Sequence, residues 1–332
     1  MGKKSVLKKI TGSREVSLVI VLVVLCALIQ LKNPAFLSIQ NILEILKNNS
    51  VIMIMALGML CVLLIGGIDI SITSTLAFTG MTVGMLFKND VIGNTLLGFL
   101  IAIALGGVCG FVVGLIISKG KVTPIIATMG LMYIYRGFAY LVGNNEWAGA
   151  DALGDFKNFA LKSNLGAGIL NNVLVIVLIC YIIFFIMLKW TKFGRNIYAV
   201  GSNAEAAEIS GINVARVKLA VYTIMGVLAG LCGALATTIY ASAQPNMQTG
   251  KEMDVIAACV IGGVSMNGGR GSVGGALLGA LILAVIAKAL PLVGIDALAQ
   301  NTVKGVIIIV VIVLNVITQR MMKKSTLERR EM

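Results

Sequence analysis

Two ionisable side chains stand inside long apolar runs: Asp69, within LIGGIDIS at residues 64–71, and Arg136, about halfway along the run 125–142. A charge at the bilayer centre costs roughly 2.5–3.5 kcal/mol on insertion scales, so each needs a partner, water or a place at the rim. Asp69 has two readings, a cap on the helix that follows or a residue of a gate or polar path. Arg136 either pairs with Asp69 or Asp254 or lines such a path. Beside these charges, Gly66-Gly67 and Gly262-Gly263 lower helix propensity and can leave carbonyls free at membrane depth. Free backbone is tolerated there only against protein or a watery cavity. The pairs therefore mark broken segments beside a translocation route or plain helix ends at the cytoplasmic face. Asn267 and Arg270, in MNGGRG, belong to an inside turn near a partner or gate.

Catalytic chemistry has little to work with. The chain has no His, and its six Cys (Cys26, Cys61, Cys109, Cys180, Cys232, Cys259) are isolated in apolar runs without metal-ligand spacing. No zinc site or imidazole base follows from that pattern, and no metal site is expected. Clustered acids and nucleophile–base pairs are lacking too, which speaks against a membrane enzyme. The pattern G-x-x-x-x-G-K-[ST] does not occur, so the chain is not expected to bind nucleotide in that way.

The elements that hold these residues are membrane helices. Of 332 residues, 58% are hydrophobic and 12% charged, about half the charge of a typical soluble domain. The apolar runs are continuous and near 20 residues long, which indicates helices and excludes a barrel. The fold expected is all-α, a polytopic membrane bundle of about ten transmembrane helices, some broken or short. The spans are read at 16–31, 42–65, 71–87, 92–117, 125–142, 173–188, 219–240, a short 252–266, 273–290 and 303–318. They form one domain over 1–332, with a basic arm at 1–15, a central polar loop at 190–218 and a tail at 319–332. The arm and first run could form a signal peptide, but no small-x-small cleavage site follows, so a retained helix is favoured. A faint echo links IGGIDIS with IGGVSMN, either related broken helices in two halves or a chance likeness.

The net charge is +13, and 18 of the 27 Lys and Arg lie in the arm, the 119–121 turn, the central loop with Lys189 just before it, at Arg270 or in the tail. That bias is the positive-inside rule, with attraction to anionic membrane lipid second, and it places both termini in the cytoplasm. It also argues against nucleic acid as a partner. Gly residues, 38 in all, mostly serve close helix packing, with faces expected at Gly226, Gly230 and Gly233 and at Gly271, Gly274, Gly275 and Gly279.

In the central loop, Ser202 or Asn203 can cap a short helix at 204–210, with Gly211 in the left-handed position after it. Glu205 and Glu208 suit the dipole of its first turns. Such a helix is a docking element for a soluble partner or part of an ordinary solvated loop.

The loop sequence GRNIYAVGSNAEAAEISGINVARVK (194–218) closely resembles the cytoplasmic loop of permease subunits in ribose-type carbohydrate-uptake ABC transporters. KEMDVIAACVIGGVSMNGGRGSVGGALLGALI (251–282), LIGGIDIS (64–71) and KVTPIIATMG (121–130) resemble further segments of that family, in order. The resemblance implies a non-catalytic membrane permease of a sugar importer in the bacterial cytoplasmic membrane, working by alternating access. It implies an ATPase subunit that uses ATP-Mg, no cofactor on this chain, an external sugar-binding protein and a second permease copy. Gly194, Arg195, Gly201, Asn203, Glu205, Ala206, Glu208 and Gly211 would couple to the ATPase, with Phe193, Ile209 and Ile212 as apolar anchors. An ion-coupled secondary transporter of a small polar solute is the competing reading. It is weakened by the scarcity of buried acids apart from Asp69.

Overall fold

The computed structural model describes residues 14–161 and 171–292, with scattered positions from 294 to 313. The arm before residue 14, the tail 319–332, residues 162–170 and much of the expected last span lie outside the described residues. The regular structure among those described is helical: α1 Arg14–Lys32, α2 Ile39–Leu64, α3 Ile72–Lys88, α4 Thr95–Ser118, α5 Pro124–Gly143 and α6 Asn172–Trp190. Then come α7 Lys192–Ser202, α8 Ala204–Ile209, α9 Val214–Tyr240, α10 Lys251–Ile261 and α11 Val273–Leu292, with a 3₁₀ turn at Gly154–Ala160. Seven of these (α1, α2, α4, α5, α6, α9, α11) are long and apolar enough to cross a membrane. The chain is a multi-pass membrane helix bundle.

Side chains fix where the helices begin. Ser38, Asn94, Asn171, Thr191, Asn203 and Asn213 each accept a backbone N–H from the first turn of the following helix. These caps satisfy donors that no helix can pair internally. At the centre stand α2 and α9. Every residue from Met53 to Leu64 is buried, and α9 packs against α2, α3 and α4. A Cβ on Gly106 or Gly110 of α4 would collide with the α9 backbone at Gly226 and Gly230. Small residues here permit the close approach that stabilises helix pairs in lipid. Gly274 departs from the expected packing face, since it meets only the Glu15 side chain, and Gly271 precedes the helix rather than forming part of it.

Two helices start at half-height. Gly80 of α3 faces Gly233 of α9, which is roughly 28 Å from the start of α9 at 1.5 Å per residue. Ile72 therefore lies about 16 Å above that start. The Thr73 hydroxyl donates to Glu252 at 2.7 Å, which sets the beginning of α10 at the same level. From there α3 runs to one end of the bundle and α10 to the other. The segment 241–250, which the reading of spans at 219–240 and 252–266 leaves as a connection, dips into the bundle to reach α10.

One end of the molecule gathers the turns after α2, α4 and α10 together with α7 and α8. Ser272 donates to Glu15 at 2.7 Å, which brings the start of α1 to it as well. Lys119, Lys121, Lys192, Arg195, Arg216, Lys218 and Arg270 all lie here, and this is the basic end.

Candidate coupling surface and solute path

The central loop is more ordered than its polarity suggests. Residues 192–202 form α7, which the sequence reading treated as loop. The signal was present: Phe193, Ile197 and Val200 recur at helical spacing, and Ile197 and Val200 are buried against the bundle. Thr191 caps it by accepting the Gly194 N–H at 3.0 Å. Gly194 is buried where a Cβ would collide with the α6 backbone at Met187 and Leu188, so α7 can fold back tightly. Arg195 stays exposed and reaches the Trp190 carbonyl at 3.4 Å.

After a one-residue break α8 follows. Asn203, not Ser202, is its cap, accepting the Ala206 N–H at 2.9 Å. The helix ends at Ile209, and Gly211 takes φ +82°, with its N–H on Glu208 and that of Ile212 on Ala207. Ala207 is buried, while Glu205, Ala206 and Glu208 face outward. Ile209 is 89% exposed. Phe193 and Ile212 are partly buried against the chain's own core, so of the three expected anchors Ile209 is the freely presented one.

This pair of helices is locked to the ends of α2 and α10. Gly201 is pressed so closely on the Leu64 carbonyl that any Cβ would collide with it. The same carbonyl accepts the Gly269 N–H at 2.9 Å, and the Tyr198 hydroxyl donates to the Gly271 carbonyl at 2.8 Å. Asn267 is exposed in that turn, its N–H on Ser265 Oγ at 3.2 Å, and its carbonyl lies beside Gly66. A displacement of α7–α8 is thus felt directly at the C-terminus of α2 and in the 265–271 turn.

The two glycine pairs occupy matching places. α2 closes with Gly66 N–H on Leu63 and Gly67 N–H on Val62. α10 closes with Gly263 N–H on Val260 and Val264 N–H on Cys259. Gly66 has φ +73° and Gly263 φ +95°. Both are Schellman ends with glycine in the left-handed position, so the echo has a structural counterpart. Gly262 also touches Gly275 too closely for a Cβ. Beyond Gly67 the chain climbs without helix to α3.

Asp69 sits on that climb. It is 2% exposed, and its Oδ1 accepts the Ser71 N–H at 2.9 Å and the Ser71 hydroxyl at 2.6 Å. The carboxylate thus closes an Asx turn inside the bundle, just ahead of α3. Arg136 does not reach it. Its Nη1 donates to the Pro245 carbonyl at 2.7 Å and the Met247 carbonyl at 3.0 Å, which holds down the dipping segment before α10. Asp254 pairs with Lys251 at 3.2 Å. The Thr73–Glu252 bond and the Tyr198 contact were not anticipated, since neither residue carries a local motif.

Known proteins resemble this arrangement along most of its length. Escherichia coli (strain K12) has a ribose import permease protein 39% identical over 299 residues, covering 89% of this chain and 92% of that one. The ribose import permease protein of Bacillus subtilis is 36% identical, covering 89% and 90%. A galactose/methyl galactoside import permease protein of Salmonella typhimurium is 35% identical over 330 residues, covering 95% and 97%. No solved structure matches significantly. Residues 41–314 match the family described as the permease component of branched-chain amino acid transport systems. These matches, over most of the chain, make it a member of that permease family.

Proposed function

We propose that the chain is the membrane subunit of an ATP-driven importer that carries a monosaccharide, ribose or galactose in kind, across the bacterial cytoplasmic membrane. The family description names amino acids, but the similar curated proteins that span nearly the whole chain are named for ribose, galactose and arabinose. The observation that carries the mechanism is the exposed α8, built on α7 and clamped through Gly201 to the end of α2. A separate ATPase subunit, using ATP-Mg, grips α8 and moves it. The clamp passes that motion to α2 and the 265–271 turn, which open the path alternately to each side. The basic end faces the cytoplasm by the positive-inside rule, so both termini do too. An external binding protein delivers the sugar at the opposite end, and a second copy of the chain completes the path. Gly66, Gly67, Asp69, Arg136, Gly262, Gly263 and Asn267 are the residues nearest that path or its gate. The chain itself binds no cofactor.

The test is uptake by proteoliposomes that contain the chain, its ATPase and its binding protein. Labelled ribose or galactose accumulates with internal ATP and continues when a protonophore is added. Accumulation that ignores ATP and stops with the protonophore would establish ion coupling instead.

A further inference from the structure

α9 has 27 residues and is about 40 Å long, enough to cross a hydrocarbon core of roughly 30 Å with a little to spare at each end. The level at which α3 and α10 start, about 16 Å above the start of α9, is therefore close to the bilayer centre. Polar groups stand uncovered there. Thr249 and Gly250, which lead into α10, are exposed, and the Lys251 side chain is 41% exposed. Gly250 offers α10 no capping side chain, and Glu252, which accepts from Thr73, is only half-buried. Irregular backbone and charge at this depth are tolerated against protein or water, not against lipid tails.

The same level of α5 is uncovered too. The Tyr135 hydroxyl donates to the Cys109 carbonyl at 2.9 Å, next to Gly110, which packs on Gly226 about 18 Å above the start of α9. Tyr133, Gly137 and Tyr140 follow at steps of four and three, so they share one side of α5. All three are exposed, Tyr133 by 69%. A Cβ on Gly137, or on Gly130 two turns before it, would meet nothing within 4 Å, whereas Gly106, Gly110, Gly226 and Gly230 each lie against a partner helix. Arg136, at the edge of that side, holds the Pro245 and Met247 carbonyls, so the segment leading into α10 borders it and the two make one face. We propose that a second copy of this chain covers that face about a twofold axis. Tyr133, Gly137 and Tyr140 form the helix contact, and Thr249, Lys251 and Glu252 border a water-filled seam between the copies. Each copy brings both a cation and a carboxylate, so the patch can meet itself, as a twofold contact requires. That the seam carries the solute rests on the importer reading; that a copy covers this face does not.

Tyr133→Cys, Gly137→Cys and Thr249→Cys are made in the full chain with its native cysteines replaced, and each is reconstituted in liposomes without ATPase or binding protein. A short bis-maleimide joins Tyr133→Cys and Gly137→Cys into a species of twice the chain mass, and dilution with added lipid leaves the yield unchanged. Membrane-impermeant maleimide labels Thr249→Cys. Ile183→Cys, exposed midway along α6, does neither. With the native cysteines in place, native mass spectrometry finds two copies for the wild-type chain. Gly137→Trp, whose side chain enters open space in a single copy, leaves mostly single chains. The proposal is overturned by an absence of joining at the α5 positions, by joining at Ile183→Cys in their place, or by a Thr249→Cys that the reagent does not reach. It is overturned equally by a wild-type chain that is single or a Gly137→Trp chain that stays paired. Labelling of Thr249→Cys without joining on α5 would mean a wet path inside one copy, which also overturns it. Because neither ATPase nor sugar takes part, failure here leaves the uptake assay standing, with the second copy seated elsewhere. A failed uptake assay would in turn leave the paired face intact.

Discussion

Gly201 shows how one missing side chain can carry a mechanism. Its bare Cα lets α7 rest on the last carbonyl of α2, at the point where Gly269 also bonds. Gly201→Ala forces that contact apart, at a cost of about 1–3 kcal/mol by the usual penalty for overpacking. The variant is expected to insert and bind the ATPase, while uptake falls relative to ATP hydrolysis, measured side by side in proteoliposomes. Glu205 and Glu208 make no ion pair among the described residues and face outward, so their loss leaves the bundle intact. The charge-reversed pair Glu205→Lys, Glu208→Lys is expected to insert normally but lose the ATPase on co-purification; normal co-purification and transport would remove the docking role. Sequence pattern was enough to single out Asn203, Gly211, Asp69 and Arg136, and the family resemblance added Gly201. It was not enough to say what they touch. Arg136 holds carbonyls more than a hundred positions away, and the Tyr198–Gly271 and Thr73–Glu252 bonds join segments that no local signal connects.

Among the elements, the two half-height starts and the two Schellman ends decide the architecture. Gly66 and Gly263 sit at φ values that cost other residues about 1–2 kcal/mol. Gly66→Ala and Gly263→Ala are each expected to lower the unfolding temperature in detergent, whereas Gly93→Ala, in open space on a loop, should not. Arg136→Ala frees the carbonyls of Pro245 and Met247, so amide exchange should rise in residues 244–250 while α9 stays protected. Unchanged exchange there would mean the dipping segment is held by other contacts. Long spans were legible because continuous apolar runs leave few alternatives. The glycine pairs were legible as places where helix stops, and of the two readings given for them the structure shows helix ends, both at the basic end. α7 was missed because its charged flanks read as loop, although its apolar residues kept helical period. The dip at 241–250 was missed because it depends on Arg136 from another helix.

At the scale of the whole molecule, charge and packing divide the work. Among the described residues few charges are buried, and the basic end presents a small, capped helix tied to the ends of α2 and α10. On the proposed function, force enters at α8 and leaves through α2. The most direct measurement places a cysteine at Ile209, the exposed apolar residue of α8, in a background with the native cysteines replaced. Membrane-impermeant maleimide is then applied to vesicles of either orientation. The account predicts labelling only when the cytoplasmic face is accessible, and protection once the ATPase subunit is bound. Labelling from the external face, or labelling indifferent to the ATPase, would contradict it.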